Sequence, residues 1–174
     1  MKLVLYQTAQ EFLDDYEAIL LEEEAKHQLL IGNLYHFKEQ AALSKDNIFG
    51  VVVDKKKIHL FFVNAFPYNI QVYSPTKSKN AFNLLAKHIL SDHILYTGVN
   101  GSFEDANLFI TAMEQENPKI SFFQHLAMDI MVSDSACKRY KRDLTFQLGK
   151  QEDMQIIWEY MIGFHQDCFL EPAD

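Results

Sequence analysis

The sequence predicts a mixed α/β (α+β) domain with a largely antiparallel central sheet and flanking helices. Three observations carry that expectation. Two apolar runs of strand length, 47–53 and 58–65, flank the short polar turn Asp54-Lys55-Lys56, as a hairpin requires. Apolar residues recur at helical spacing through 8–20, 82–89 and 103–113. The two patterns interleave along the chain, which gives the order β-α-α-β-β-β-α-β-α-β-β plus a C-terminal helix.

Each element has its own local reason. Lys2 to Gln7 reads as a first strand, and Thr8 with Glu11 forms a capping box that opens a helix carrying Phe12, Tyr16, Ile19 and Leu20. A second helix is expected from Glu22 to about Lys38, with Ala25, Leu29, Gly32 and Tyr35 on one side. On its outer face Glu22 and Lys26, and Glu23 and His27, stand at a spacing that permits weak pairing. Asn47 to Val53 is apolar on both faces, as a central strand should be. Pro67, which has no amide to donate, ends the next strand, and Ile70 to Ser74 forms a third. A helix bearing Phe82, Leu85, Ala86 and Ile89 follows, then a short strand over Ile94 to Thr97 and the turn Gly98-Val99-Asn100-Gly101. Ser102 and Asp105 cap a helix with Phe103, Ala106, Ile110 and Met113. Ile120 to Val132 alternates as a strand, 133–140 reads as a hairpin loop, and Leu144 to Leu148 as its return. A last helix, about Glu152 to Phe169, carries Met154, Ile157, Trp158, Met161 and His165 on one face.

With 174 residues the chain suits one compact domain followed by that helix, over 1–150 and 151–174. A net charge of −8 argues against a nucleic-acid surface, which needs clustered Lys and Arg. The basic runs, 55–57 and 138–142, fall where hairpin tips are expected. No apolar run approaches the roughly 20 residues of a membrane helix, and the N-terminus lacks the features of a signal peptide. A cytoplasmic protein with no membrane or nucleic-acid partner is the expectation. Cys137 and Cys168 form no metal or redox spacing and read as free thiols.

Catalytic constellations are sparse. His125 and Asp129 share one face of an expected strand, but four residues separate them by roughly 13 Å. Glu23 and His27 have a helical metal spacing without a visible third ligand. His88 and His93 straddle a helix end, and His165 reads as a packing residue. Tyr68 and Asn69 follow the Pro67 interruption, while Asn100 lies at the carboxyl end of the sheet, where open α/β sheets place ligand crevices. These three are the candidate substrate-crevice residues. An exposed interface aromatic at Tyr68 and a plain Asn-Gly turn at Asn100 are the competing structural explanations.

Several segments carry a family likeness. The helix Glu24-Ala25-Lys26-His27-Gln28-Leu29-Leu30-Ile31-Gly32-Asn33-Leu34, the segment Ala65-Phe66-Pro67-Tyr68-Asn69-Ile70, the turn Gly98-Val99-Asn100-Gly101, and Trp158, Phe164 and Asp167 occur in an ordered series. Together with the element order, they resemble the GNAT superfamily of N-acetyltransferases, and in particular the degenerate N-terminal half of a two-domain bacterial GNAT-like group. The resemblance implies that acetyl-CoA is bound by a C-terminal half and that 151–174 is a connecting helix toward it. In a cofactor-binding relative the strand–helix junction would be a Gln/Arg-x-x-Gly-x-Gly/Ala cradle of backbone amides for pyrophosphate. Here Ser74-Pro75-Thr76-Lys77-Ser78-Lys79-Asn80-Ala81 contains no glycine. The resemblance also places Ile110 where a proton-donating Tyr would stand, and Phe103, Phe109 and Ile110 read instead as core.

No catalytic, cofactor-binding or metal residue is therefore expected in this chain. The first reading is a GNAT-like domain that shapes an acceptor crevice for a catalytic half transferring acetyl from acetyl-CoA to an amine. A stand-alone interaction protein, dimerising through the last helix, is the alternative. A divergent but self-sufficient acetyltransferase is the third. The expected partner is accordingly the chain's own C-terminal catalytic domain or a second copy.

Overall fold

A computed structural model of the protein describes residues 1–40, 43–124, 127–132 and 148–169 and divides the chain into two units, 1–132 and 133–174. In the first unit the elements are β1 (Lys2–Leu5), α1 (Ala9–Leu21), α2 (Glu24–Lys38), β2 (Ile48–Asp54), β3 (Lys57–Asn64), β4 (Ile70–Tyr73), α3 (Lys79–Ser91), β5 (Val99–Asn100) and α4 (Phe103–Glu116). The second contains a turn of 3₁₀ helix at Gln151–Asp153 and α5 (Met154–Phe169). Mixed α/β architecture and a mostly antiparallel sheet are as the sequence predicts. No helix among the described residues is long and apolar enough to cross a membrane.

The sheet runs in sequence order, β1-β2-β3-β4-β5. Its first three pairings are antiparallel and the last, β4 with β5, is parallel. Side-chain alternation builds a core on each face. Phe49, Val51, Val53, Phe61 and Val63 pack with Phe12, Leu13 and Leu20 of α1 and Leu30, Ile31 and Leu34 of α2. Val52, Leu60, Phe62, Ile70 and Val72 pack with Phe82, Leu85 and Ile89 of α3 and Phe109 and Met113 of α4. The sheet is thus sandwiched, which explains why β2 and β3 are apolar on both sides.

One irregularity matters for the loops. Val52 pairs with Leu60 but Val53 pairs with Ile58, so His59 falls out of register as a bulge. Its carbonyl and ring then bind the segment after β4 instead of the ladder.

Several expectations need correction. Ile94 to Thr97 is not a strand, because long-range side chains bind its backbone. The Leu95 amide donates to Asp46 Oδ1 at 2.9 Å, and the Leu95 carbonyl accepts from Asn64 Nδ2 at 2.8 Å. The fifth strand is Val99–Asn100, so Asn100 is an extended residue rather than a turn residue. Residues 120–124 and 127–132 form no strand, although Ile120 and Phe122 pack against the α3–α4 core. The expected hairpin loop at 133–140, and its return through 147, lie outside the described residues.

Helix α2 begins at Glu24 and buries the opposite side from the one expected. His27, Leu30, Ile31, Leu34 and Phe37 face the core, while Leu29 and Tyr35 are exposed. Ile19 of α1 is exposed as well. At α4 the cap is as expected, with the Asp105 amide donating to Ser102 Oγ, but Phe103 is 80% exposed. It is the first helical residue and lies before the part of α4 that packs. Phe109 is core and Ile110 is half-buried.

Candidate functional site

The β4–β5 junction gathers two of the three crevice residues. Parallel pairing sets Ile70 against Val99 and Gln71 against Asn100, and the Ile70 amide donates to the Gly98 carbonyl at 2.9 Å. Asn69 Nδ2 consequently donates to Asn100 Oδ1 at 3.0 Å. Thr97 Oγ1 stands 3.0 Å from both Asn69 Oδ1 and the Pro67 carbonyl, either of which accepts its single proton. Gln71 extends the chain inward, donating from Nε2 to the Asn69 carbonyl and accepting from Asn33 Nδ2 at 2.6 Å. The result is a line of uncharged groups from α2 across β4 to β5. Tyr68 is beside it, 71% exposed, with its amide donating to the Ala65 carbonyl at 2.8 Å across the cis Phe66–Pro67 peptide. Its ring belongs to no described aromatic contact.

Both glycines flanking β5 are required by close approach. A Cβ on Gly98 would lie 2.8 Å from Asn69 Oδ1, and one on Gly101 would lie 2.8 Å from the Val72 carbonyl oxygen. The Gly-Val-Asn-Gly segment therefore serves to bring β5 against β4.

The loop after β4 has a different character. Ser74 is buried and its Oγ donates to the bulged His59 carbonyl at 2.7 Å, while the Ser78 amide donates to Ser74 Oγ at 3.4 Å. His59 Nδ1 is hydrogen-bonded to Thr76 Oγ1 at 2.8 Å. Lys77 takes φ of +49°, the left-handed conformation in which a glycine would be unstrained. Its ammonium turns to the start of α4, 2.8 Å from Asp105 Oδ2 and 3.3 Å from Ser102 Oγ. Asp105 is fully buried, and its Oδ2 also accepts from Ser102 Oγ at 2.8 Å. Its Oδ1 has no hydrogen-bond partner among the described residues.

These residues do not fit a pyrophosphate cradle. Pro75 has no amide, the Ser78 amide is directed to Ser74, and the one cation reaching across the loop is neutralised by a buried carboxylate. The left-handed bend, which would suit glycine, is occupied by Lys77. No chemical step through acetyl-CoA can be built on this loop.

A titratable cluster around the buried His27 escapes the sequence pattern. His27 is 3% exposed, its Nδ1–H donates to the Leu20 carbonyl at 2.6 Å, and its ring meets Tyr73 edge-on at 4.1 Å. The bond to a carbonyl fixes the proton on Nδ1. His27 Nε2 has no hydrogen-bond partner among the described residues. The Tyr73 hydroxyl donates to Glu23 Oε2 at 2.8 Å, and Glu23 is paired with Lys26. Burial, and then the bond to Glu23, push the Tyr73 phenol up to about 12. Bonds from Lys26 and Tyr73 hold the Glu23 carboxyl below its ordinary range. The expectation that Glu23 and His27 share an outer face is thus corrected. The missed signal was the run His27, Leu30, Ile31, Leu34, which is helical spacing for one buried face.

The remaining candidates scatter. His88 Nδ1 lies 3.3 Å from Asp92 at the end of α3, and His93 follows it with φ of +52°. The His125–Asp129 pair involves a residue outside the described ones, as does Cys137; Cys168 is an exposed free thiol. Lys55 and Lys56 form the β2–β3 turn as expected, with Lys55 at φ of +56°. An open groove of about 390 Å³ between α3 and α4 is lined by Lys79, Asn83, Phe103, Glu104, Asn107 and Thr111 among others. Its two charges oppose each other in sign, and it holds none of the crevice residues. Comparison of the chain with protein-family models, curated proteins and solved structures finds no match in any of the three.

Proposed function

We propose that the chain is a GNAT-like acetyltransferase-family domain without an acetyl-CoA site of its own, whose β4–β5 junction contributes an acceptor crevice to a catalytic partner domain. The observation that carries this reading is Lys77. It occupies a left-handed bend after β4 and directs its ammonium to Asp105, so the loop is bonded to its own protein where a cofactor-binding relative would offer amides. The parallel pairing of β4 and β5 contributes the geometry of the crevice, because it sets Asn69, just before β4, within hydrogen-bond reach of Asn100. Tyr68, Asn69 and Asn100 border that junction.

Isothermal titration of the chain with acetyl-CoA tests the proposal. No heat of binding is expected up to about millimolar ligand. Binding at micromolar affinity, or thiol release above background over a panel of amines, would establish instead a self-sufficient acetyltransferase with an altered loop.

A further inference from the structure

We propose that α5 is a homodimer interface, packing against the same helix of a second copy. On a helical projection Ile156, Ile157, Trp158, Tyr160, Met161 and Phe164 cover an arc of roughly 200°. A helix resting on the surface of a globular protein needs a stripe only about half that wide. Gln155, Glu159, Ile162 and Gly163 fill the opposite strip through this stretch, so the charged residue Glu159 stands clear of the arc. All six apolar residues are between 46% and 74% exposed.

Three features select a second copy as the occupant. The six exposed side chains present roughly 800 Å², about what each partner buries in a stable standard-sized interface. Trp, Tyr, Phe and Met are also the residue types enriched at interface centres. A two-fold axis brings a patch against itself, and this patch is self-complementary because Glu159 falls on the opposite strip and Asp167 lies beyond it toward the helix end. A lipid surface is disfavoured by charge. The segment 151–169 contains no Lys or Arg, whereas interfacial helices carry basic residues on their polar face. An acidic or basic protein partner would find no counter-charge in the arc. This inference does not rest on the acceptor-crevice reading; it develops the interaction-protein alternative.

Trp158 is the only tryptophan, so the helix carries its own reporter. Sedimentation velocity of the 174-residue chain from about 1 to 100 µM should show a monomer–dimer equilibrium, with Trp158 emission moving to shorter wavelength as dimer forms. Met161→Glu and Ile157→Glu should each raise the dimer dissociation constant at least about tenfold with unchanged far-UV circular dichroism, and Gln155→Glu should leave it as in the wild type. A wild-type monomer at the highest concentration would overturn the proposal. So would an emission maximum that never changes, or a polydisperse series without a closed dimer.

Discussion

Replacing Lys77 by Met keeps an unbranched stem in place and removes the ammonium from Asp105. The pair is 2.8 Å apart, with the carboxylate fully buried and the lysine side chain 35% exposed. At an effective dielectric of about 20, the Coulomb attraction at that distance is about 6 kcal/mol. Most of it offsets the desolvation of Asp105. Removing one partner of a buried pair costs about 3–5 kcal/mol, since the other charge is left uncompensated. The exposed fraction of Lys77 admits screening water and lowers the expected loss to about 2–3 kcal/mol. Ser102 Oγ remains as a donor to Asp105, which also argues for the lower end. Urea unfolding followed by far-UV circular dichroism measures the loss, because α1 to α4 lie in the same unit as this loop. Adding Asp105→Asn to Lys77→Met should restore at least about 1 kcal/mol, since the orphaned charge is then gone. The backbone supplies an internal control. Lys77→Gly and Lys77→Ala lose the same ion pair, but glycine relieves the left-handed bend and should be about 0.5–1 kcal/mol the more stable. A loss below about 0.5 kcal/mol for Lys77→Met, with no rescue by Asp105→Asn, would refute the claim that this pair closes the loop.

Two other substitutions test the neighbouring clusters. The Tyr73 phenol is raised in the folded chain from about 10 to about 12. Its contribution to stability is therefore complete below about pH 10 and lost as pH rises toward 12, while the unfolded chain ionises first. Tyr73→Phe should flatten the fall of stability over that window relative to the wild type; an unchanged slope in urea unfolding would contradict the burial argument. Gly98→Ala drives a Cβ to within 2.8 Å of Asn69 Oδ1, which Thr97 and Asn100 hold in place. It should cost about 1–2 kcal/mol in urea unfolding, and less than half of that in an Asn69→Ala background, where the obstructing amide is gone. Equal costs in both backgrounds would show that the close approach is not to Asn69.

Local interactions made part of this fold legible. The Thr8–Glu11 capping box forms as written, since both of its bonds join residues three apart. The buried face of α3 also matches its spacing, because only one side of that helix is apolar. In α2 the apolar residues lie on both sides, and Leu29 differs from Leu30 and Ile31 only in where the sheet lies. Periodicity could not choose between them without knowing that His27 is buried. The segment 94–97 has strand-like composition, yet Asp46 and Asn64 take its backbone bonds from far along the chain. For the site, Asn69 and Asn100 were visible as residues, but their contact depends on the parallel register of β4 and β5. The Lys77–Asp105 pair was not visible at all. The sequence shows a glycine-free segment over 74–81, and only the fold shows what its lysine at position 77 does.

The chemistry of the junction narrows what could be recognised there. Asn33, Gln71, Asn69, Asn100 and Thr97 carry no charge, and each uses at least one of its groups on a neighbour. An amide donates two protons and accepts at one oxygen, so Asn69 and Asn100 retain hydrogen-bonding capacity beyond the bond between them. Such a row discriminates by matching donors and acceptors, since a ligand that leaves a buried amide unpaired pays its desolvation. It offers a cationic amine no electrostatic advantage over a neutral group. An acceptor held here would be selected for its amide or hydroxyl edges, with Tyr68 supplying an exposed ring beside them. The amine that reacts would have to be positioned by groups outside this row. On the proposed reading, neutral recognition would fall to this row and the chemistry to a catalytic partner, a division that the uncharged side chains of the junction favour.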